Sequence, residues 1–159
     1  MQQSALTAPL VAKLSDMMRY VLYETGQARQ PLSQEIGFLS NYIDVQSVRF
    51  PESTKIRFDT QGITDQAQIE PLLLLPFIEN AFKHGIEEVP GGFMEIIIYL
   101  NAHELTLSVK NSRPDGNMDQ ATAAGYGIGM DNTRKRLRLL YRENIPCGCR
   151  KIRTLMKYF

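Results

Sequence analysis

The chain of 159 residues has no tryptophan, two cysteines and two histidines, and no excess of charge: 18 Lys and Arg against 17 Asp and Glu leave +1. Each shortage excludes something. Cys147 and Cys149 stand too close for a favourable disulfide and are too few to build a metal centre alone, so free thiols in a reducing compartment are expected. No apolar run approaches the ~20 residues that a membrane-spanning helix needs, and no basic segment followed by an apolar one opens the chain. Membrane attachment, if any, is expected outside these residues. The near-zero charge gives no overall pull towards nucleic acid. Arg134, Lys135, Arg136, Arg138 and Arg142 spread around a helix rather than forming one stripe, so no nucleic-acid partner is expected.

What is there is globular in composition, 43% hydrophobic and 22% charged, and long enough for one domain with an appendage. Leu6, Leu10, Leu14, Met17 and Val21 predict an amphipathic helix over 5–24. Gly26 and Pro31 interrupt it. Leu32, Ile36, Leu39, Ile43 and Phe50 then predict a second helix. Such narrow, heptad-like stripes suit a helical hairpin in a bundle. Two helices cannot enclose a core, so a second copy is expected to complete a four-helix arrangement as a homodimer. The alternative is that both helices pack on the domain that follows. Pro51 pushes the residue before it out of helical geometry and sets the expected boundary between domains 1–50 and 51–159.

The second domain is expected to be α+β. Lys55–Asp59 alternates as a strand, and FMEIIIYL (Phe93–Leu100) and LTLSVK (Leu105–Lys110) form a hairpin through residues 101–104. Between them lies PLLLLPFIENAFKHGI, Pro71 to Ile86. Pro76 is tolerated only in a first turn, which puts the helix start near Leu74. A helix over 74–84 stacks Asn80, Lys83 and His84 at i, i+3 and i+4, opposite an apolar side of Leu74, Leu75, Ile78, Ala81 and Phe82. An amide oxygen suits a hard cation such as Mg²⁺, and the two nitrogens suit phosphate oxygens. The plainer reading is a polar face that meets water. Residues 111–126 lose all periodicity and predict a long loop, of a length that usually serves a function. It ends in Gly125–Tyr126–Gly127–Ile128–Gly129, which feeds a helix over Met130–Tyr141 and offers unpaired N–H groups to an anion.

FIENAFKHGI resembles the N-box of sensor histidine kinases, and GYGIGMDNTRKRLRLLY resembles their second glycine box with its following helix. The wording ENAxKHG followed by GIGxxNxRxRLxLLY is similar to the autolysin-sensor (LytS/YehU) class. LSDMMRY and LSQEIGFLSNYIDVQSVRF also resemble that class, in its dimerisation region. The resemblance covers roughly residues 14–142 and implies a Bergerat-type (GHKL) α/β sandwich, a mixed sheet covered by helices on one face, preceded by an α-helical hairpin. It implies ATP and Mg²⁺ as cofactors, with a lid at about 111–127. By resemblance Asn80 is the metal ligand, Lys83 and His84 meet phosphate oxygens, and Gly127 and Gly129 let the lid backbone approach the triphosphate. Gly125, Ile128, Met130, Asn132 and Arg134 of the same box belong to the nucleotide site, and Glu79 beside the metal ligand could polarise a nucleophile or simply cap the surface.

Three departures qualify the resemblance. The adenine-reading aspartate stands here as Asn111, which accepts a hydrogen bond without charge; Asp115 is the other candidate if the loop folds back. The phosphoacceptor segment of the class is missing, since His84 lies in the nucleotide box and His103 in a turn. The closing strands match poorly over Asn144–Phe159, where Ile152, Leu155 and Met156 suit one strand at most. The expected function is the ATP-binding catalytic fragment of a two-component histidine kinase, a phosphotransferase acting on a histidine upstream of this chain. Expected partners are ATP, that histidine and a response regulator, and the expected location is the cytoplasmic side of an inner-membrane-anchored kinase. The alternative is a Bergerat-shaped scaffold that holds nucleotide poorly.

Overall fold

The computed structural model describes residues 3–23, 25–87, 89, 91–102, 104–112, 128–140 and 151–158. In chain order the elements are α1 (Gln3–Tyr23), β1 (Gln30–Pro31), α2 (Leu32–Ser47), β2 (Lys55–Gln61), β3 (Gln68–Ile69) and α3 (Leu75–Ala81). A π-helical turn (Phe82–Ile86) follows, then β4 (Phe93–Leu100), β5 (Glu104–Asn111), α4 (Ile128–Leu140) and β6 (Lys151–Tyr158). They divide into two compact units, one of Met1–Pro51 with Thr64–Leu72 and one of Glu52–Ile63 with Leu73–Phe159.

In the first unit α1 packs on α2, and the two-residue strands β1 and β3 pair antiparallel, Gln30 opposite Ile69. The buried side of α2 is Leu32, Glu35, Phe38, Leu39 and Ile43. Spacing alone assigns Ile36 to that side, yet Ile36 is only half-buried and the carboxylate of Glu35 is wholly enclosed. Phe50 lies beyond the end of the helix. On α1 the inward residue is Tyr20, whose ring stacks on Phe38 with centroids 4.5 Å apart. Leu14 and Val21, expected inward, face solvent with Val11, Met18 and Leu22. Leu10 and Met17 of the same expected stripe are half-buried, so the side of α1 that meets α2 is the one carrying the stacked Tyr20.

The second unit is built on a mixed four-stranded sheet in the order β2-β4-β5-β6. β2 runs parallel to β4, β4 antiparallel to β5, and β5 parallel to β6. Strict alternation sets its two faces. Met94, Ile96, Ile98 and Leu100 stand opposite Asn111, Val109, Leu107 and Leu105, and all eight are buried. On the other face Glu95 meets Arg57 of β2 at 3.4 Å and Lys110 of β5 at 3.3 Å, an exposed ladder of small energetic weight. α3 packs against β5, the π-turn against β4, and α4 against α3, which forms the helical layer expected for the α+β sandwich. Gly62, at φ +72°, ends β2 where a Cβ would come within 2.1 Å of the Leu100 carbonyl oxygen, so no side chain fits. All of Lys151–Tyr158 forms β6, from Lys151 opposite Glu104 to Tyr158 opposite Asn111. The poorly matching tail therefore holds a complete edge strand. Among the described residues no helix is long and apolar enough to cross a membrane.

Candidate functional site

α3 opens as expected. Leu74 precedes its first turn, Pro76 sits where no backbone N–H is required, and the Phe77 N–H bonds to the Leu74 carbonyl at 3.2 Å. Leu73, Leu74, Phe77, Ile78, Ala81 and Phe82 are buried and fix the segment by apolar packing. Asn80 is then held half-buried, while Glu79 and Lys83 face solvent. Although much of Glu79 is exposed, its partial burial raises the carboxyl above its ordinary value through desolvation.

The regular helix stops at Ala81, short of the expected end at His84. Phe82–Ile86 is a wider turn, closed by an i→i+5 bond from the Glu87 N–H to the Phe82 carbonyl at 3.2 Å. Asn80, Lys83 and His84 are thus not stacked by α-helical spacing alone. The His84 backbone lies in this turn, and its side chain lies outside the description.

The wider turn brings Gly85 against Asn111 at the end of β5. A Cβ on Gly85 would lie 2.3 Å from Asn111 Nδ2 and 2.8 Å from its Cβ and Cγ. Asn111 is 1% exposed, and its Nδ2 donates to the Ser112 carbonyl at 3.0 Å. Ser112 is pinned to the start of β4: its N–H donates to the Phe93 carbonyl at 2.9 Å, and its hydroxyl accepts from the Phe93 N–H at 2.8 Å. Gly85 and Ser112 were not singled out by the motif reading. A glycine inside a helical pattern is the signal that points to the first; nothing in the pattern points to the second.

α4 starts at Ile128, two residues before the expected Met130. Asn132 is exposed and Thr133 buried. Ile128, Gly129, Met130 and Arg134 have helical backbones, with side chains outside the description. Gly125, Gly127, Asp115 and the expected lid beyond Ser112, with His103, Cys147 and Cys149, lie outside the described residues altogether. Among those described, no group of three or more His, Cys, Asp or Glu is placed to hold a metal. A cation here would need phosphate or water oxygens beside the Asn80 amide, which is how Mg²⁺ is commonly bound with nucleotides.

Residues 1–54 match a family model described as histidine kinase. Over 82 residues the chain is 33% identical to an uncharacterized sensor-like histidine kinase of Staphylococcus epidermidis, a match covering 51% of this chain and 16% of that protein. Over 80 residues it is 32% identical to the sensor protein kinase HptS of Staphylococcus aureus, covering 50% of this chain and 15% of the other. The matched stretch is thus a small part of those relatives' length. Among solved structures, the catalytic domain of histidine kinase ThkA superposes with a TM-score of 0.50 at 16% identity, covering 71% of this chain and 81% of that one. At that identity the likeness is one of fold.

Proposed function

We propose that this chain, a fragment of the sensor histidine kinase kind, binds Mg·ATP beside α3 and α4 and supports transfer of the γ-phosphoryl group to a histidine other than His84 and His103. The observation that carries the reading is the packing of α4 on α3. It makes neighbours of the helix bearing Asn80 and the helix that opens at Ile128–Gly129, the two motifs that a triphosphate site requires at one place. The close fit of Asn111 to Gly85 adds a buried polar group at the end of the neighbouring strand.

The residues fit the group. The Asn80 amide oxygen would complete the shell of a Mg²⁺ ion whose role is to neutralise phosphate charge. Lys83, exposed and cationic, would meet phosphate oxygens, as would His84. The N-terminal N–H groups of α4, with the positive end of its dipole, favour the same anion. Phosphoryl transfer asks mainly for positioning and charge neutralisation, and these groups supply both. Glu79, next to Asn80 in the chain and with its carboxyl raised by desolvation, is the group that would polarise a nucleophile. Homodimerisation through the first unit and a response-regulator partner belong to the same proposal.

Titration with a fluorescent ATP analogue, with and without Mg²⁺, tests it. Binding is expected to need the metal and to be lost in Asn80→Ala. Equal binding by wild type and variant would defeat the assignment of Asn80.

A further inference from the structure

Two unfavourable features meet at one oxygen atom in the first unit. Leu72 holds φ +55°, a left-handed setting that lowers the population of a leucine roughly tenfold. Gln30, 1% exposed, leaves its Oε1 without a hydrogen-bond partner among the described residues. Both are tied to Glu35 Oε2, which accepts from the Leu72 N–H and from Gln30 Nε2. The Gln30 amide cannot turn round, because that would set oxygen against oxygen. Tyr20 of α1 donates to the same atom. One buried carboxylate thus holds two arrangements that the chain would leave on its own.

Leu72 stands between two fixed stretches of chain. Before it, the Leu32 N–H donates to the Ala67 carbonyl at 2.7 Å, Ile69 pairs with Gln30, and Arg29 meets Glu70 at 3.0 Å. After it, Leu73 and Leu74 are 0% exposed and lead directly into α3, which carries Asn80. A change of φ at Leu72 therefore turns the chain at the entry to α3. One charge-assisted hydrogen bond and one left-handed leucine are of the same order in free energy, so the balance between held and relaxed Leu72 is narrow. Resting on the nucleotide reading above, we propose that Glu35 is a positioning residue for the helix that bears Asn80. While Glu35 holds Leu72, the chain enters α3 in the nucleotide-binding state; release lets φ turn negative and lowers the affinity. Tyr20 brings α1 into the same contact, so the helical pair regulates nucleotide binding without touching the nucleotide.

The test is equilibrium binding of Mg·ATP to the 159-residue chain, with helical ellipticity recorded for every variant. Leu72→Val, whose branched Cβ penalises positive φ, is expected to bind about tenfold more weakly. Leu72→Gly takes φ +55° without steric cost and is expected to stay within about twofold of wild type, although it loses the whole side chain. A side chain that served only in packing would give the reverse order. Glu35→Leu, which keeps bulk and removes the acceptor, is expected to weaken binding about tenfold in the wild-type chain. In Leu72→Gly the same change is expected to weaken it only about twofold, because glycine takes either sign of φ about as readily. A valine variant that binds as tightly as wild type overturns the proposal. So does a glycine variant that loses as much as valine, or an equal loss from Glu35→Leu in both backgrounds. Should Glu35→Leu lose its helical signal, the two Leu72 variants decide alone. Absence of Mg·ATP binding by wild type overturns the nucleotide reading itself, and the proposal with it.

Discussion

The phenol of Tyr20 donates a hydrogen bond to the carboxylate of Glu35, which is 0% exposed. The same oxygen, Oε2, accepts from Gln30 Nε2 at 3.0 Å and from the Leu72 N–H at 2.9 Å. One buried atom therefore ties together α1, β1, α2 and the segment after β3. Leu72 carries a left-handed φ of +55°, unusual for a side chain of its kind, and its N–H contact with Glu35 helps to hold that geometry.

Removing the acceptor takes this partner from three donors, two of them on buried residues. Glu35→Ala is expected to destabilise the first unit by about 3 kcal/mol or more, and Tyr20→Phe, which removes one donor, by about 1 kcal/mol. Urea denaturation followed by helical ellipticity reads both. Wild-type stability in Glu35→Ala would mean that water replaces the network without loss.

Glu79 sets a pH dependence of opposite sign to that of an ion-paired carboxylate. Its folded-state pKa is raised by desolvation, so the folded chain binds the proton more tightly than the unfolded one. Its unfavourable contribution is absent at acid pH and grows as pH rises through the window just above the ordinary glutamate range. Wild type and Glu79→Gln are thus expected to melt together at about pH 4 and to diverge by about pH 7, the variant being the more stable. The effect is small because the side chain is largely exposed. Parallel melting curves across that range would rule out the desolvation.

Asn111→Asp exchanges one advantage for another. A carboxylate makes a stronger bond to a 6-amino group, so Mg·ATP is expected to bind more tightly, by about tenfold. The change also loses the Nδ2 bond and sets negative charge against the Ser112 carbonyl, so the free protein is expected to melt lower. Thermal melting with and without Mg·ATP measures both. For wild type, ligand at 100 times its Kd should add about 2.7 kcal/mol. A chain that serves only as a scaffold would show no shift.

Val11, Leu14, Met18, Val21 and Leu22 recur at i, i+3, i+7, i+10 and i+11 on α1, all exposed, from 43% at Val21 to 71% at Leu22. This is the stripe that a second copy is proposed to cover. Met18→Glu, at its centre, is expected to weaken a dimer by about a hundredfold or more, since it asks a charge to enter an apolar seam. Light scattering across a concentration series checks this. A variant that dimerises like wild type would place the contact elsewhere.

Much of the second unit was legible because its signals are local. The β-branched and aromatic run of Phe93–Leu100, the alternation of Leu105–Lys110, the helix start near Leu74 and the hairpin at Asn101–Glu104 need no knowledge of distant residues. What was missed depends on partners far along the chain. An acid between Leu32 and Leu39 reads as surface, and its burial follows from Tyr20, 15 residues away, and Leu72, 37 residues away. β1 and β3 hold two residues each, too few for periodicity. On α1 two apolar stripes compete, and the stacking of Tyr20 on Phe38 decides between them. An α-helix and a π-turn share one composition, so the change of winding at Phe82 left no mark.

That change of winding has a consequence for protein engineering. A π-turn behaves as an α-helix carrying one surplus residue. Deleting one residue between Phe82 and Ile86 would let the ladder close in its commoner form, a repair by any criterion of backbone regularity. It would also swing Gly85 away from Asn111, so the irregular winding sets the phase between helix and strand, and a tidier chain would lose the fit.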